Sequence, residues 1–518
     1  MSETREVPTK PFTGLQSLAT SDVVNADITE VDADTIVVNL FLGVTAPGGA
    51  TGAVDSRLDG AVTQLIEGGD LTGKLGEVAV LYSGGKLPAR RVLVVGLGEH
   101  NEFDMEAARR ASAAAATRAR ELGTSKLATV VHGAGIGGFP TEEAAQATLE
   151  GALLASYGFG GWRKDAALAK RVESITLAEV TEAKLAEVEA GARAARAVAR
   201  GVALARDLVN LPANVVNPDY MVETARKLAS ESALELFVGD RDWAAEQGMG
   251  AFLAVAQGSR NEPAFVQLEH NKERTDLPLI ALVGKGVTFD TGGLSLKSRD
   301  GMIPMKNDMA GAAAVLGTMQ AIAELDLPVR VLGVCTCVEN MPDGAAFRPS
   351  DVLVAGNGLS IEVLSTDAEG RLALADALWY VQRFAPAAVV DIATLTGSSV
   401  VAIGAGVAAS LFGNDAPLRA RLETAATATG ETVWHMPLFD DYRKTIESKV
   451  ADLKNTGGAQ GGVGTSAVFL EAFTDYPWAH VDMAGMAMVD SGKERKYLTH
   501  GATGYGVRLF VEFLRDWA

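Results

Sequence analysis

The segment that spans residues 277–297 reads LPLIALVGKGVTFDTGGLSLK. Its beginning, Leu277–Val283, is an apolar run with the length of a buried strand. The glycines that follow suit a tight loop at the carboxyl end of that strand. Open α/β sheets bind their ligands at such strand ends. The segment therefore predicts an α/β domain with a ligand site where this strand ends.

Apolar runs and helical patterns alternate on both sides of this segment, which is typical of layered α/β domains. After it, the predicted elements are Ala310–Leu325, Val329–Val338, Arg371–Phe384 and Ala388–Ile392. Before it, they are Thr35–Leu42, Gly76–Tyr82, Arg91–Val95, Met105–Glu121, Leu127–His132, Thr141–Leu154, Ser174–Leu177 and the long helix Glu182–Val209. Thr141 is the expected N-cap of its helix.

A glycine-rich passage, Tyr157–Lys164, separates the first group of elements from the rest of the chain. We place the end of a first domain there. The prediction is an N-terminal α/β domain at residues 1–170, a connecting segment and helix at 171–199, and a larger α/β domain at 200–518.

The composition disfavours several classes of protein. The 518 residues are 48% hydrophobic and 21% charged, the usual mixture of a globular protein with a large core. With 46 lysines and arginines against 65 aspartates and glutamates, the net charge is −19, which disfavours nucleic-acid binding. The sequence shows neither a signal-peptide pattern at its start nor an apolar run long enough to span a bilayer. We expect a cytoplasmic protein without a membrane partner.

Two further patterns indicate structure rather than chemistry. Cys335 and Cys337 lie two residues apart in an apolar run, so on a strand they point to the same face and are poorly placed for a disulfide. Gly133–Gly138 fits the glycine pattern of dinucleotide-binding loops, but Phe139 and Pro140 separate it from the next helix. We therefore expect free cysteines and an ordinary loop.

Three short segments concentrate charged side chains in apolar surroundings. The second, residues 305–312, reads MKNDMAGA, and the third, residues 364–372, reads LSTDAEGRL. The charged residues of interest are Lys285, Asp290 and Lys297 in the first segment, Asp308 in the second, and Asp367, Glu369 and Arg371 in the third.

Taken one by one, these residues have ordinary structural interpretations. Asp308 can cap the following helix, and Thr366 with Glu369 has the spacing of a capping box. Lys285 and Lys297 can be solvated loop residues. Taken together, however, the segments gather four carboxylates, which would repel one another without cations. A pair of divalent ions would neutralise them, and oxygen-rich ligation suits Mg²⁺, Mn²⁺ or Zn²⁺.

These segments resemble the leucyl aminopeptidase family, also called the cytosol aminopeptidases. Residues 284–297 match the family pattern of the first segment throughout, and Met305–Ala313 matches the second. The third matches except at Ser365, where the family has asparagine. Further matches lie at Asp207–Asn214, Asp391–Gly397 and Trp478–Gly485. The resemblance covers residues 200–518 strongly and the earlier part loosely.

The resemblance implies a two-domain α/β protein whose larger domain, residues 200–518, is catalytic and has a mixed central sheet. It implies a metal-dependent aminopeptidase that releases N-terminal residues from peptides, preferably large apolar ones such as leucine. It also implies two divalent ions per subunit, Mn²⁺ or Zn²⁺, with bicarbonate as a further bound group. The family assembles as homohexamers, so a second copy of the chain is an expected partner.

The resemblance also assigns roles to individual residues. The implied metal ligands are Lys285, Asp290, Asp308, Asp367 and Glu369, with Asp290 and Glu369 bridging the two ions. The implied catalytic pair is Lys297 and Arg371, and the arginine would hold bicarbonate as general base. The implied lining of the pocket for the first side chain of the substrate is Met305, Thr394 and Gly397.

Two alternatives stay open at this point. A dimetal site could hydrolyse another class of substrate, such as a phosphoester, although no phosphate-cradling loop accompanies these segments. An additional DNA-binding role is also conceivable, against which the acidic charge argues. A metal-free scaffold is least favoured, because it would leave the carboxylates uncompensated.

Overall fold

The computed structural model describes residues 18–135, 137–161, 170–490, 492 and 497–518. The described residues up to Ala199 form one compact unit, together with Tyr497 and Leu498, and those from Arg200 onward form a second. Residues 1–6, which bear on the signal-peptide expectation, and residues 162–164 of the glycine-rich passage lie outside the described residues. Among the described residues, no helix is both long and apolar enough to cross a membrane.

The first unit contains a mixed sheet with helices between its strands. Its strands are β1 (Thr20–Asn25), β2 (Thr35–Phe41), β3 (Val78–Tyr82), β4 (Arg91–Gly98), β5 (Lys126–Val130) and β6 (Ser174–Glu179). Its helices are α1 (Gly49–Arg57), α2 (Ala61–Glu67), α3 (Met105–Glu121) and α4 (Thr141–Ser156), and α5 (Leu185–Asn210) begins in this unit and ends in the second. The described strands run in the order β1-β6-β5-β2-β4-β3, parallel except for β3.

Two details of the first unit bear on the sequence prediction. Helix α4 begins at Thr141, but its N-cap is Pro140, so the prediction of Thr141 as N-cap is wrong. The glycine pattern after β5 forms a loop as far as it is described, with Ile136 outside the description. The helix after it starts only beyond Phe139 and Pro140, which confirms the loop interpretation.

The second unit is built on a larger mixed sheet. Its strands are β7 (Glu235–Gly239), β8 (Ala264–His270), β9 (Leu279–Asp290), β10 (Arg330–Asn340), β13 (Ala388–Ala393), β14 (Ala409–Gly413), β15 (Val433–His435) and β17 (Trp478–Asp482). Shorter strands are β11 (Val352–Val354), β12 (Ser360–Glu362), β16 (Leu453–Lys454), β18 (Met488–Val489) and β19 (Gly501–Ala502).

Helices of the second unit pack against this sheet. They are α6 (Pro218–Glu231), α7 (Arg241–Glu246), α8 (Gly250–Val255), α9 (Arg299–Met302), α10 (Ala310–Leu325), α11 (Gly370–Val381), α12 (Gly397–Ile403), α13 (Ala416–Thr429), α14 (Asp440–Thr445), α15 (Gly462–Glu471) and α16 (Val507–Arg515). Both α10 and α11 contact β9. The described strands of the large sheet run in the order β15-β14-β17-β13-β9-β10-β8-β7, and β9, β10, β13 and β17 are parallel. The prediction of two α/β domains, the larger with a mixed central sheet, is confirmed.

Strand β9 is longer than the sequence predicts. The glycines after Val283 do not form a loop, because pairing with β10 continues to Asp290. The register shifts between Val338 and Glu339 of β10, so that one residue of β9 is passed over. Such a bulge changes the direction of the side chains beyond it. The turn follows at Gly292 and Gly293, whose φ angles are 85° and 63°.

Glycines allow helix α10, which begins in the second charged segment, to pack closely against strand β9 and its neighbour β13. A Cβ on Gly284 would come within 2.6 Å of the Ala312 Cα, and one on Gly311 would come within 2.1 Å of the Ile392 carbonyl oxygen. Side chains at these positions would hold α10 away from the sheet. The glycines of the first two segments therefore serve close packing as well as the turn.

Strand β10 carries both cysteines of the chain. Cys335 and Cys337 are free and buried. Burial raises the pKa of the Cys335 thiol, with a smaller contribution from its neighbour, and raises that of Cys337 to about 12. The expectation of two free cysteines on one strand is confirmed, and both thiols stay protonated at neutral pH.

The first unit contains a histidine that is held in the neutral form. Asn39 Nδ2 donates to His132 Nδ1 over 3.0 Å, and the ring is fully buried. Burial lowers its pKa from 6.5 to about 4. Because the folded state binds this proton more weakly than the unfolded chain, the contribution to stability is complete above about pH 6.5 and is lost as the pH falls towards 4.

We predict that lowering the pH from 7.5 to 5.0 removes about 2 kcal/mol of stability through His132 alone. In a His132→Gln variant this part of the pH dependence should disappear, because glutamine accepts the Asn39 hydrogen bond without titrating. Urea unfolding of both proteins at the two pH values measures the difference. Equal pH dependence in the two proteins would contradict the assignment.

Candidate metal centre

The three charged segments converge at the carboxyl ends of β9 and β13. Strand β9 ends at Asp290, residues 303–309 precede α10, and residues 364–369 precede α11. They surround a cavity of about 370 Å³. Its lining contains every site residue that the sequence predicts: Lys285, Asp290, Lys297, Met305, Asp308, Asp367, Glu369, Arg371, Thr394 and Gly397.

Lys285 occupies the inner part of the cavity. Its Nζ lies 2.8 Å from Asp308 Oδ1 and 2.9 Å from Glu369 Oε1, and it donates to the Thr394 carbonyl oxygen over 3.0 Å. The Thr394 hydroxyl donates to the same Asp308 oxygen over 2.8 Å. The Lys285 side chain is only 3% exposed, so these contacts are formed away from water.

Lys297 occupies the outer part. Its Nζ lies 2.8 Å from Asp290 Oδ2 and 2.6 Å from Asp367 Oδ1. The main-chain N–H of Lys297 donates to the Thr291 carbonyl oxygen over 2.9 Å, which closes the turn after β9. The Lys297 side chain is 18% exposed and that of Asp367 is 38% exposed. This end of the cluster is therefore open to solvent, in contrast to the end around Lys285.

The pKa values follow from this crowding of charge. Burial lowers the pKa of the Lys285 ammonium, but the carboxylates of Asp308, Glu369 and Asp290 outweigh burial, and the pKa lies above its usual range. The pKa of the Lys297 ammonium also lies above its usual range, because the neighbouring carboxylates outweigh burial. Burial raises the pKa of the Asp308 carboxyl well above its ordinary value, against the lowering effect of Lys285. The two lysines thus supply positive charge that offsets the four carboxylates.

The donor set fits divalent metal ions. One carboxylate oxygen from each of Asp290, Asp367 and Glu369 lies within 4.8 Å of the others. Among the described residues, the buried oxygens Asp308 Oδ2 and Glu369 Oε2 have no hydrogen-bond partner. Unpartnered buried carboxylate oxygens are costly unless a cation takes them. Hard oxygen ligands with one amine suit Mg²⁺, Mn²⁺ or Zn²⁺.

Arg371 lies at the start of α11, beside the carboxylates. Its Nη1 donates to the Asn455 carbonyl oxygen over 2.9 Å, and the side chain is buried. Burial lowers its pKa to about 10, and the carboxylates nearby oppose this effect. The guanidinium is thus still charged at neutral pH, and its Nε has no partner among the described residues. It is suited to holding a small anion.

The structural interpretations of two capping residues are wrong. Helix α10 has Met309 as its N-cap, so Asp308 is not the cap. Helix α11 has no side-chain cap. The Thr366 hydroxyl instead donates to the Gly292 carbonyl oxygen over 2.6 Å and accepts from the Ser295 main-chain N–H over 2.7 Å. Thr366 therefore ties the third segment to the first.

Three residues of the site have no role in the sequence prediction. Asn340, at the end of β10, donates to Asp290. Asn455 binds the main chain of Leu364 and Ser365, and Asp482 accepts the hydroxyl of Thr396. A signal exists for Asp482, which lies in the family match Trp478–Gly485, and for Asn340, which follows the apolar run of β10. Asn455 lies outside every motif that the sequence analysis identifies, so no sequence pattern points to it.

The fold and the site define an α/β metallohydrolase, with lysines and carboxylates at the strand ends of a mixed sheet. The catalytic-domain model of the cytosol aminopeptidase family matches residues 203–511, and the N-terminal-domain model of the same family matches residues 37–166. The chain belongs to the cytosol aminopeptidase family. It is accordingly a metal-dependent aminopeptidase, and this membership favours peptides over phosphoesters as its substrates.

Individual relatives agree with this membership. The chain is 46% identical over 466 residues to the probable cytosol aminopeptidase of Roseiflexus castenholzii, covering 89% of this chain and 94% of the relative. The bottromycin maturation enzyme BotP in complex with Mn superposes with a TM-score of 0.82 at 33% identity, covering 93% of this chain and 99% of that one. A mutant of tomato leucine aminopeptidase superposes with a TM-score of 0.84 at 32% identity, and the match covers 96% of each chain. The family name agrees with the expected cytoplasmic location.

Gly370 provides a test of the position of Lys285. A Cβ at Gly370 would lie 2.4 Å from Lys285 Cε and 2.6 Å from its Nζ. We predict that Gly370→Ala keeps the fold, because alanine suits a helix and only the end of a flexible side chain must move. Turnover should fall by about 10²-fold, because Lys285 is displaced.

Gly344→Ala is the matched control, because nothing lies within 4 Å of the added Cβ. Melting temperature and kcat of the two variants and the wild type are the measurements. Full activity of Gly370→Ala would contradict a tight requirement for the position of Lys285.

Proposed function

We propose that the chain removes N-terminal residues from peptides with two divalent ions held by Lys285, Asp290, Asp308, Asp367 and Glu369. The observation that carries this proposal is the set of unpartnered, buried oxygens of Asp308 and Glu369 beside the triad of Asp290, Asp367 and Glu369. Mn²⁺ or Zn²⁺ would be the ions. Asp290 and Glu369 are proposed as the bridging ligands on the family resemblance. In support, Glu369 contacts Lys285 at the inner end and Asp290 contacts Lys297 at the outer end, and one oxygen of each carboxylate lies within 4.8 Å of the other.

When bound, the metal ions would lower the pKa of water and polarise the peptide carbonyl. Lys297 would donate a hydrogen bond to the carbonyl oxygen as negative charge develops there. It lies at the open end of the cluster and its carboxylate neighbours keep it charged. It thus suits an electrostatic role in which it touches the substrate.

Arg371 would hold bicarbonate, which would act as general base and pass a proton towards the leaving amine. The burial of the guanidinium and its unpartnered Nε support the binding of a small anion there. The anchoring of Nη1 on the Asn455 carbonyl oxygen would fix the direction of the guanidinium.

The first side chain of the substrate would enter the part of the cavity lined by Met305, Thr394 and Gly397. These positions lie on separate elements of the lining, together with the apolar Val400 and Leu395. We propose a preference for large apolar residues such as leucine. A homohexameric assembly is proposed for the chain on the family resemblance alone.

The first test is a comparison of a leucine arylamide with its N-acetylated form in the presence of Mn²⁺. We predict turnover of the free amine only, because acetylation removes the terminal amine that defines an exopeptidase substrate. Release of the chromophore is followed at a fixed concentration of enzyme. Equal turnover of both substrates would overturn the proposed function.

The second test separates the two lysines. Lys297→Ala should keep both metal ions and lose turnover by about 10²–10³-fold, as expected for loss of a donor to the developing oxyanion. Lys285→Ala should weaken the occupancy of one metal ion, and excess Mn²⁺ should restore part of the rate. Metal content and kcat of both variants are the measurements. Loss of metal from Lys297→Ala alone would show that the proposed roles are exchanged.

A further inference from the structure

Asn340 is the last residue of β10 and has no exposed surface. The register shift before it in β10 places it opposite Asp290, the last residue of β9. Neighbouring parallel strands therefore end side by side, one with a carboxylate and the other with an amide. This buried carboxylate–amide pair contrasts with the rest of the two strands, which consist mostly of apolar residues.

The amide of Asn340 connects two of the three segments of the site. Its Nδ2 donates to Asp290 Oδ1 over 2.8 Å and to the Thr366 carbonyl oxygen over 3.0 Å. An amide nitrogen has two N–H groups, so both are used. The main-chain carbonyl of Asn340 accepts from the N–H of Thr291 over 3.0 Å and from its hydroxyl over 2.9 Å. One residue thus holds the end of β9, the turn after it and the third segment.

These contacts determine which oxygen of Asp290 faces the cavity. Oδ1 accepts from Asn340 Nδ2 and also from the main-chain N–H of Gly292 over 2.8 Å. A carboxylate oxygen has two lone pairs, so Oδ1 has no further capacity in good geometry. Oδ2 lies 2.8 Å from Lys297 Nζ and is the oxygen left for a cation.

The oxygen of the Asn340 amide differs from its nitrogen, because within the described part of the chain only the nitrogen makes hydrogen bonds to the site. Asn340 Oδ1 has no hydrogen-bond partner among the described residues although it is buried. A Cβ at Gly293 would come within 2.8 Å of this oxygen, so the turn leaves no room for a donor side chain there. An unpaired buried oxygen costs free energy. The fold tolerates that cost where the two N–H groups bind a carboxylate and a loop carbonyl.

We propose that Asn340 is a positioning residue that saturates Asp290 Oδ1, directs Oδ2 to the metal ions and ties the Asp367-bearing loop to β9. This inference rests on the proposed function, because it assumes that Asp290 is a metal ligand. Asn340 is not among the residues that line the cavity, so it would touch neither substrate nor metal. Its effect on the reaction is exerted through Asp290 and the segment that carries Asp367 and Glu369.

The test replaces Asn340 by leucine, which has a similar shape but no donors. Removing a group that orients a metal ligand typically costs 10–100-fold in metal affinity. We expect Asn340→Leu to weaken Mn²⁺ binding to the metal-free protein by about that factor, measured by calorimetric titration. At saturating Mn²⁺, kcat for a leucine arylamide should stay reduced while KM changes little, because the lining of the substrate pocket is intact.

Thr336→Val is the matched control on the same strand. Thr336 has no exposed surface, and its hydroxyl has no partner among the described residues. Its replacement should leave Mn²⁺ affinity, kcat and KM at wild-type values. If Thr336→Val weakens Mn²⁺ binding equally, any substitution in β10 has this effect, and the inference is overturned.

A purely structural role of Asn340 predicts a different result. The melting temperature of the metal-free variant would fall, while Mn²⁺ affinity and kcat below that temperature would equal those of the wild type. That result overturns the inference. If Asn340→Leu does not fold, Asn340→Ala is measured in the same way, with the same expectation. Failure of the wild type to bind Mn²⁺ would instead overturn the proposed function.

Discussion

Negative charge buried at the carboxyl edge of the larger sheet is the constraint on which the site depends. Burying a carboxylate is costly unless it is paired and hydrogen-bonded. Four carboxylates meet here, and Lys285 and Lys297 each contact two of them. The lysines offset the charge of this cluster, and the same carboxylates are the proposed ligands of the cations.

This concentration of charge is possible because the backbone around it packs very closely. Gly284 and Gly311 let α10 approach β9, and Gly370 leaves space for the end of Lys285 against α11. Each of these glycines lies in one of the three segments that also carry the charged residues. Each motif therefore combines charged residues that line the cavity with a glycine that lets the surrounding backbone and side chains approach closely.

The departure from the family pattern at Ser365 leaves this arrangement intact. The Ser365 hydroxyl accepts from the Asp367 main-chain N–H over 3.2 Å. Asn455 Nδ2 donates to the Ser365 carbonyl oxygen over 2.6 Å, and Asn455 Oδ1 accepts from Leu364 over 2.8 Å. The loop that carries Asp367 and Glu369 is thus fixed mainly through its backbone. A serine at this position removes none of the proposed ligands and leaves these backbone contacts available.

The sequence by itself determined the local structure and the chemistry of the motifs. The sequence predicted the helices Met105–Glu121 and Ala310–Leu325 with their observed bounds, because residue composition and the alternation of elements are read locally along the chain. The end of β9 was predicted too early, because glycines usually interrupt strands, whereas pairing with β10 carries this one to Asp290. The charged residues of the site were found because they lie in short, dense motifs.

Only the tertiary structure decided how those residues are held. Asn340 lies 50 residues from Asp290, Thr366 lies 74 residues from Gly292, and Asn455 lies 84 residues from Arg371. No local pattern links partners so far apart: strand order and a one-residue shift in register bring Asn340 to Asp290, and the packing of loops beside the strands makes the other two contacts. The physical reason is that a carboxylate can bind a cation only when its oxygens point towards it, and that orientation comes from neighbours in space rather than in sequence.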